Sequence, residues 1–355
     1  MSALIKECKE CGKALEVVHE TEFSDSEKFV QYKCGHFAVV STLEATGAPE
    51  SIAAEGAVRE RTAPLQGETM AVSVSLINMK GGVGKTTLAA QLAHTASLKG
   101  LRTLAVDLDP QANLSQALLS PEKYAKLLRD RKPTIVQLFE QYFPPTDEYP
   151  SPQPVDIDKI ILKQVGHHTI ATLHLIPSRL ELSHTLKNPF GKERRLAKSL
   201  TKVADDYDLI LIDCAPTESI LTDAAYHASR YVLVPVKPEY LATIGLPLLA
   251  RSIREFKDEN SDRELDICGI VFNHSSSYSS GPEGERSIRE VHSEAKKHGW
   301  HVFNTHVRYS RSYAKAAREG TPIAWTSYAR WDVSKEFVGF VDEFFAAINL
   351  SKGTT

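Results

Sequence analysis

The sequence lacks an apolar run long enough to cross a membrane. A membrane helix needs roughly 18 consecutive, mostly apolar residues, and no stretch of the 355 residues reaches that length. The first ten residues also lack the apolar segment that a signal peptide carries. We therefore expect a protein that stays in the cytoplasm and docks on no membrane.

Cysteine is scarce and unevenly placed. Three of the five cysteines (Cys8, Cys11 and Cys34) fall within the first 34 residues, whereas Cys214 and Cys268 stand far apart. This odd, sparse set argues against a disulfide framework. In a reducing compartment, clustered cysteines indicate a metal site instead.

A strong excess of positive charge is also missing. The formal net charge is −3, so no overall basic field indicates a nucleic-acid partner. Residues 1–69 contain 7 Lys/Arg and 12 Asp/Glu, a net of −5, and the remainder contains 35 and 33, a net of +2. Charge and composition together predict a small unit at 1–40, a flexible linker at 41–69 and a large domain at 70–350.

The small unit carries a candidate zinc site. Cys8 and Cys11 have the spacing with which one turn presents two thiolates to one ion, and Cys34 with His36 would complete a zinc-ribbon-like Cys₃His set. A unit of about 40 residues has little core, so Zn²⁺ would stabilise it. The single residue between Cys34 and His36 is irregular, and His19 could substitute. Three reduced cysteines in a small β unit are the alternative.

Strand and helix patterns alternate through the large domain. Strands are predicted at Val72–Ile77, Leu104–Val106, Tyr207–Asp213, Tyr231–Val236, Leu265–Phe272 and, more weakly, His301–His306. Helices are predicted near Thr86–Lys99, Glu193–Ala204, Ser219–Ala228, Leu241–Lys257, Glu285–His298 and Ser312–Glu319. The alternation predicts an α/β fold with a doubly wound, mainly parallel sheet.

A glycine-rich loop follows the first of these strands. It fits GxxxxGK[ST], with Met79 in place of the first glycine. Backbone N–H groups of such a loop wrap phosphate oxygens, Lys85 supplies positive charge, and the Thr86 hydroxyl ligates magnesium. Because a strand precedes the loop and a helix follows it, a chance glycine-rich turn is the weaker interpretation. The sequence predicts that ATP and Mg²⁺ bind here, at Lys80, Gly81, Gly82, Val83, Gly84, Lys85, Thr86 and Thr87.

Lys80, a second lysine at the front of the loop, is typical of the deviant Walker ATPases. The chain resembles the ParA/MinD superfamily of these P-loop NTPases, and its ParA branch in particular. The resemblance covers about residues 70–350, and its motifs are Asn78–Thr87, Val106–Asn113 (VDLDPQAN), Tyr207–Pro216, Val234–Tyr240 and Val307–Pro322.

The resemblance implies roles for individual residues. Lys80 would reach the nucleotide of a second subunit, so that ATP joins a homodimer. Asp109 would position and polarise the attacking water, which makes it catalytic together with the two loop lysines. Asp213 would hold magnesium through a water, Asp107 would help near the metal, and Asn273 would contact the adenine.

The residues alone leave two alternatives open. Asp109 precedes Pro110 and could be a turn or helix cap, and Asp213 could be a strand-end carboxylate that faces solvent. Phosphoryl transfer needs an aligned water and neutralised charge rather than covalent chemistry. Carboxylates at strand ends near a phosphate loop meet that need.

The resemblance also implies DNA binding without sequence preference in the ATP-bound state. Residues 286–318 contain eight basic residues and only two acids, Glu290 and Glu294. The basic residues are Arg286, Arg289, Lys296, Lys297, Arg308, Arg311, Lys315 and Arg318. Such a patch could contact phosphates, although a charge run is usually a solvated helical face.

The sequence therefore predicts a ParA-type ATPase that drives plasmid or chromosome partition, or the positioning of a cargo. Non-specific DNA at the nucleoid and a ParB-like or cargo adaptor protein are the expected partners, and hydrolysis should be slow without stimulation. A MinD-like membrane switch is disfavoured because the tail, Val333–Leu350, is amphipathic but acidic. The alternative function is a nucleotide-gated interaction platform with little hydrolysis, whose zinc-like head binds a protein partner.

Overall fold

The computed structural model describes the strands of the N-terminal unit and nearly all of the large domain. The described residues are 17–24, 27–32, 37–41, 71–143, 151, 153–163, 165, 172–239, 242–275 and 281–350. In the N-terminal unit, β1 (Val17–Ser24), β2 (Glu27–Tyr32) and β3 (Phe37–Ser41) form an antiparallel sheet in the order β1-β2-β3.

Nine further strands lie in the large domain. They are β4 (Val72–Leu76), β5 (Thr103–Leu108), β6 (Tyr142–Phe143), β7 (Gln153–Pro154), β8 (Leu173–Ile176), β9 (Leu209–Cys214), β10 (Tyr231–Val236), β11 (Asp266–Ser275) and β12 (Val307–Arg308). Seven of them form one sheet in the order β12-β11-β10-β4-β9-β5-β8, and all neighbouring pairs are parallel. The other two, β6 and β7, pair with each other.

Eleven α-helices belong to the described part of the chain. They are α1 (Lys85–Leu98), α2 (Asn113–Leu119), α3 (Pro121–Arg129), α4 (Ile135–Glu140), α5 (Ser183–Lys187), α6 (Arg195–Leu200), α7 (Ile220–Ala228), α8 (Ala242–Glu259), α9 (Gly281–His298), α10 (Arg311–Glu319) and α11 (Trp331–Ala347). None of these helices combines the length and apolarity needed to span a bilayer.

The sheet is buried on both faces, which explains why its strands read as apolar runs. Along β5, Leu104 and Val106 pack in one core with helices that include α7 and α8. Ala105, between them, packs in the other core with α1 and α11. Side chains of successive strand residues point to opposite faces, so one short strand contributes to both cores.

The glycine loop lies at the point where the strand order reverses. From β4 the chain builds β5, β8 and β9 on one side and then β10, β11 and β12 on the other. Ligands of open α/β sheets bind in the crevice at the carboxyl ends of the strands beside such a switch point. Leu76 ends β4 there, immediately before the loop.

The predicted α/β class with a parallel sheet is confirmed, and the differences concern short or edge elements. The sequence pattern does not predict β8, an edge strand of four residues that pairs with β5. The weak strand expected at His301–His306 is replaced by one bridge, Ile270 to Val302, and by the short β12. Helices α2–α5 are also absent from the prediction, because runs of five to nine residues give little periodic signal.

Candidate functional site

The glycine loop bends sharply between β4 and α1. Gly82 and Gly84 have φ values of 74° and 86°, in the left-handed region that favours glycine. Gly84 is also the N-cap of α1, and no described side chain caps that helix end. The first N–H groups of α1 therefore have no intrahelical partners, and with the positive end of the helix dipole they form a site for anions.

A close contact requires glycine at position 84. A Cβ placed on Gly84 would lie 2.1 Å from Nδ2 of Asn273. That amide nitrogen donates to the Val83 carbonyl at 2.8 Å, and Oδ1 of Asn273 accepts from the His274 N–H at 2.9 Å. Asn273 thus braces the phosphate loop, and its contact with an adenine stays a prediction.

We expect Gly84→Ala to destabilise the fold and to abolish ATP binding. An alanine at this φ costs about 1–2 kcal/mol, and its methyl group would also displace the Asn273 amide that holds the loop. Gly191→Ala is the matched control, because Gly191 has a φ of +67° and no described atom within 4 Å of its Cβ position. Urea unfolding and ATP titration of both variants check the expectation. Equal destabilisation, with ATP binding retained in both, would show that the Asn273 contact is unimportant.

Lys85 is folded back onto the loop. The residue is 6% exposed, and Nζ donates to the carbonyl oxygens of Asn78 at 2.9 Å and Lys80 at 3.1 Å. Burial lowers the pKa of Lys85, and the nearby carboxylates of Asp213 and Asp109 oppose that shift. A cation held only by carbonyl groups can exchange them for phosphate oxygens.

Lys80 is held by a neighbour on the same chain. Its Nζ lies 2.9 Å from Oε2 of Glu239, and Lys237 pairs with the other carboxylate oxygen. These two lysines hold the pKa of Glu239 below its ordinary value. The Lys80 N–H donates to Oδ1 of Asn78, whose Nδ2 donates to the Pro235 carbonyl at 2.7 Å. The loop is thereby tied to the end of β10, and the reach of Lys80 across a dimer stays a prediction.

Asp213, the penultimate residue of β9, is fully buried beside Asp107, its register partner on β5. Neither carboxylate oxygen of Asp213 has a hydrogen-bond partner among the described residues. The pKa of Asp213 is raised well above its ordinary value, first by burial and then by the charge of Asp107. The Thr86 hydroxyl, which lies close to the carboxylate without the geometry of a hydrogen bond, and Lys85 offset part of the rise. A buried carboxylate without a partner is costly, so this side chain requires a cation or a proton.

Asp107 has a different environment although it is equally buried. Its Oδ2 accepts from the Ser115 N–H at 2.7 Å and from the Ser115 hydroxyl at 2.6 Å, and Oδ1 accepts from the Asp109 N–H at 3.2 Å. Burial raises the pKa of Asp107 to about 7 against these hydrogen bonds. Asp107 therefore anchors the first turn of α2, and its role near a metal stays a prediction.

Asp109 lies at the cavity wall and also shapes a turn. Its Oδ1 accepts from the Gln111 N–H at 2.8 Å, and its carbonyl accepts from the Ala112 N–H at 2.9 Å. Ala112 has a φ of 54°, so the chain turns sharply into α2. The cap role and the catalytic role are therefore compatible, because the turn fixes the carboxylate at the cavity.

A cavity of about 770 Å³ opens at this edge of the sheet, within the roughly 300–1,000 Å³ range of ligand pockets. The described lining residues are Gly81, Gly82, Gly84, Lys85, Thr86, Thr87, Ala90, Gln91, Asp109, Pro110, Gln111, Asn113, Ala117, Leu180, Ser183, Leu186, Cys214, Ala215, Pro216, Thr217, Leu221, His274, Tyr313 and Ala317. Of the predicted nucleotide residues, Lys80, Val83 and Asn273 lie outside this lining. The structure thus brings the loop, Lys85, Thr86 and Asp109 together around one space.

The donors beside the cavity fit a hard cation. Thr86 lies in the first turn of α1, and the Asp213 carboxylate, unpaired among the described residues, lies near its hydroxyl. Within the described ranges, no group of three or more His, Cys, Asp or Glu side chains is arranged for a metal. Mg²⁺ commonly takes only one or two protein ligands and completes its shell with phosphates and waters, so the residues present suit it.

The predicted zinc residues are not in the part of the chain that the structure describes. Cys8, Cys11, Cys34 and His36 fall outside the described residues, and His19 is described only as a backbone position in β1. The zinc site stays a prediction.

The predicted basic patch is largely neutralised by ion pairs. Five of its eight basic residues contact acids: Arg286, Arg289, Lys297, Arg308 and Lys315. Arg308 in particular donates to Glu336 at 2.7 Å and to Asp332 at 3.0 Å. Lys296, Arg311 and Arg318 have no acidic partner among the residues described and are exposed. They are the patch members available to an external anion.

Comparisons with known proteins identify the family of the chain. Residues 71–267 match a family described as an AAA domain, AAA_31. An uncharacterized protein of Methanocaldococcus jannaschii is 31% identical over 256 residues, which cover 71% of this chain and 90% of that protein. The chromosome-partitioning ATPase Soj of Treponema pallidum is 30% identical over 259 residues, which cover 72% of this chain and 90% of that protein.

A solved structure is also similar in fold. An ATP complex of a McdA variant from Cyanothece matches with a TM-score of 0.63 at 18% identity, covering 81% of this chain and 100% of that one. At this identity, the likeness concerns the fold alone. It agrees with the parallel sheet and the loop-bearing strand described above.

Sequence reasoning missed the cavity residues that lie away from the phosphate loop. Gln91 follows Thr87 by four residues, so helical spacing could have placed both on one face of α1. Tyr313 falls within the last motif, Val307–Pro322, but the motif gives it no role. Leu180 lies in a segment without periodic signal, and nothing in the sequence marks it.

Proposed function

The chain belongs to this AAA-domain family as a ParA-like nucleotide-binding partitioning ATPase, and from that premise we propose that it hydrolyses ATP as a dimerising switch. In the ATP state two subunits would join around the nucleotide and bind DNA without sequence preference. Hydrolysis to ADP and phosphate would reset the switch, stimulated by a ParB-like or cargo adaptor protein. The task would be DNA partition or the positioning of a cargo on the nucleoid.

One observation carries this proposal: the glycine loop and Asp109 line a single cavity beside the switch point of the sheet, and the buried Asp213 directly precedes Cys214 of that lining. Lys85 would exchange the Asn78 and Lys80 carbonyls for phosphate oxygens. Thr86 and Asp213 would hold Mg²⁺, which supplies neutralising charge when bound. Phosphoryl transfer depends on placement and charge stabilisation, and the positions of these groups support both roles.

Asp109 is the group that we assign to the attacking water. Its carboxylate is oriented by the Gln111 N–H and lies on the cavity wall. An anion fixed in this way can accept a hydrogen bond from a water molecule and align it with the phosphate. It acts before any proton leaves the water, so positioning is its main contribution.

The mouth of the cavity supports dimerisation. Leu180 and Leu186 line it and are 65% and 41% exposed, and Phe190 nearby in sequence is 88% exposed. Large apolar side chains grouped at a surface usually mark an interaction site. A second copy that brings its Lys80 to this mouth would cover them.

We expect a duplex of random sequence to shift in a gel with ATP but not with ADP, and to shift less at higher salt. Each phosphate contact contributes roughly 0.9 to the slope of log affinity against log salt. The double variant Arg311→Ala/Arg318→Ala should therefore bind more weakly and lower that slope by about 2 per bound subunit.

The matched control is Arg286→Ala/Lys297→Ala, which removes two ion-paired residues of the same patch. It should keep the slope of the unmodified protein. If the protein shifts DNA in neither nucleotide state, the DNA part of the proposed function is wrong. If both double variants lose DNA affinity equally, the DNA contacts lie elsewhere on the protein.

A further inference from the structure

His274 is the extra residue of a bulge at the end of β11. In the pairing of β11 with β12, Asn273 lies opposite Val307 and Ser275 lies opposite Arg308, so the register passes over His274. Its φ of 54° is in the left-handed region, which histidine adopts more readily than most residues. Bulges beside active sites commonly redirect a side chain, and His274 is one of the residues that line the nucleotide cavity.

The His274 imidazole lies against the glycine loop. A Cβ placed on Gly84 would be 3.4 Å from Nε2 of His274, and Gly84 is the N-cap of α1. The backbone N–H groups at this end of α1 are the part of the loop that binds phosphate oxygens. Nε2 is therefore next to the loop residue at which the anion site begins.

The ring nitrogens of His274 are available to a ligand. The His274 backbone N–H donates to Oδ1 of Asn273, but no hydrogen bond or ion pair between described residues engages the ring. The ring instead meets Tyr309 edge-on, with centroids 5.8 Å apart. Tyr309 is 64% exposed, and this contact restricts the orientation of the imidazole without occupying a nitrogen.

The charged groups that act on His274 come from the segment after β10. Burial lowers the pKa of His274, Lys237 lowers it further, and Glu239 opposes both effects. Glu239 is itself shared between Lys237 and Lys80, so most of its charge is balanced. Within the described part of the chain, no carboxylate pairs with the ring. The imidazole is therefore mainly neutral at pH 7 in the ligand-free protein.

A bound triphosphate would reverse this balance of charge. It brings several negative charges to the glycine loop, beside an imidazole whose nitrogens have no described partner. A nearby anion favours the protonated imidazole and so raises its pKa. The protonated ring can then donate a charge-assisted hydrogen bond to a phosphate oxygen, which is stronger than a bond between neutral groups.

We propose that His274 is a phosphate-binding residue that takes up one proton from solvent when ATP binds, so that ATP affinity rises as the pH falls. The proposal rests on the proposed function, because it assumes that ATP occupies the cavity. It adds to Lys80 and Lys85 a cation that forms only in the loaded site. Release of the phosphates returns the proton to solvent.

His274→Asn tests the proposal, because asparagine also adopts the left-handed conformation but cannot take up a proton. From about pH 8 to about pH 5.5, the range in which histidine titrates, we expect the affinity of the unmodified protein for Mg-ATP to rise about 10-fold more than that of the variant. A pKa raised by one unit on binding corresponds to this factor. At the higher pH the two proteins should bind nearly equally. His301→Gln is the control, since His301 is exposed and outside the cavity lining.

Calorimetric titration in buffers of different ionisation enthalpy measures the proton uptake directly. The unmodified protein and His301→Gln should take up more protons per bound ATP than His274→Asn, and inorganic tripolyphosphate should give the same difference. Equal uptake by the unmodified protein and His274→Asn overturns the proposal. So does a difference that appears with ATP but not with tripolyphosphate, since the ring would then contact the nucleoside. If the unmodified protein binds no ATP at any pH, the proposed function fails as well, so the two failures are distinguishable.

Discussion

Asp109→Ala is expected to lower ATP turnover by roughly 10²- to 10³-fold, the usual effect of removing one preorganised group from a transition state. ATP affinity should change little, because the phosphates are held by the glycine loop and Lys85 rather than by this carboxylate. Phosphate release under saturating ATP, with a separate binding titration, measures the two quantities. A nucleotide-gated platform would instead show little turnover before the substitution and little change after it.

Two further variants separate chemistry from local folding. Asp109→Asn keeps an oxygen that can accept from the Gln111 N–H, so the turn should persist while the charge is lost. Asp156→Asn is the matched control, since Asp156 caps a similar turn by accepting from the Asp158 N–H at 3.1 Å. Turnover should fall in the first variant and remain in the second. Normal turnover in Asp109→Asn would remove Asp109 from the catalytic assignment.

Asp213→Asn is expected to stabilise the ligand-free protein while damaging its function. The buried carboxylate has no hydrogen-bond partner in the described structure. An amide remains a buried polar group but avoids the cost of a buried charge, so the free energy of unfolding should rise at neutral pH. The amide cannot replace the negative charge beside Mg²⁺. We therefore expect Mg²⁺-dependent ATP affinity to fall roughly 10- to 100-fold, as for other groups that support a metal. Urea unfolding and calorimetric titration measure both effects.

The neighbouring carboxylate, Asp107, provides a control for which we expect the opposite change in stability. Asp107 accepts three hydrogen bonds from Ser115 and Asp109, and an asparagine has one acceptor oxygen for them. Asp107→Asn should therefore destabilise the protein, although both carboxylates are equally buried. Destabilisation in both variants would mean that Asp213 has hydrogen-bond partners in the folded protein, and its assignment to Mg²⁺ would lose its support.

The phosphate site was predictable because its chemistry is local in sequence. Consecutive residues of one loop provide the backbone N–H groups, the cation and the hydroxyl, so spacing alone identifies them. Asp213 was a candidate for a related reason, as the last residue of a predicted apolar strand, and β9 extends one residue further to Cys214. The function of such residues depends on the element that they end or begin, which a sequence pattern can locate.

The residues that brace the site were not predictable, because each acts through a distant partner. Asn78 bonds to Pro235, 157 residues away, and Gln91 bonds to Ile323, 232 residues away. Nothing near Ser115 in the sequence indicates that its hydroxyl binds Asp107 and accepts from the Ser178 N–H. These contacts depend on how the helices cross the sheet. For the same reason, counting basic residues overestimated the free charge of the patch, since Arg308 meets acids 24 and 28 residues later.

The arrangement of Lys80, Glu239 and Lys237 has a consequence for association kinetics. Because Glu239 is shared by two lysines, the departure of Lys80 leaves the acid paired, and an exposed pair of this kind contributes only about 0–1 kcal/mol. In the proposed dimer, an ATP-loaded subunit would therefore free its Lys80 without a slow structural opening. The encounter of two such subunits would then proceed at the rate of ordinary protein docking, roughly 10⁵–10⁷ M⁻¹s⁻¹, and local protein concentration would set the timing of the switch.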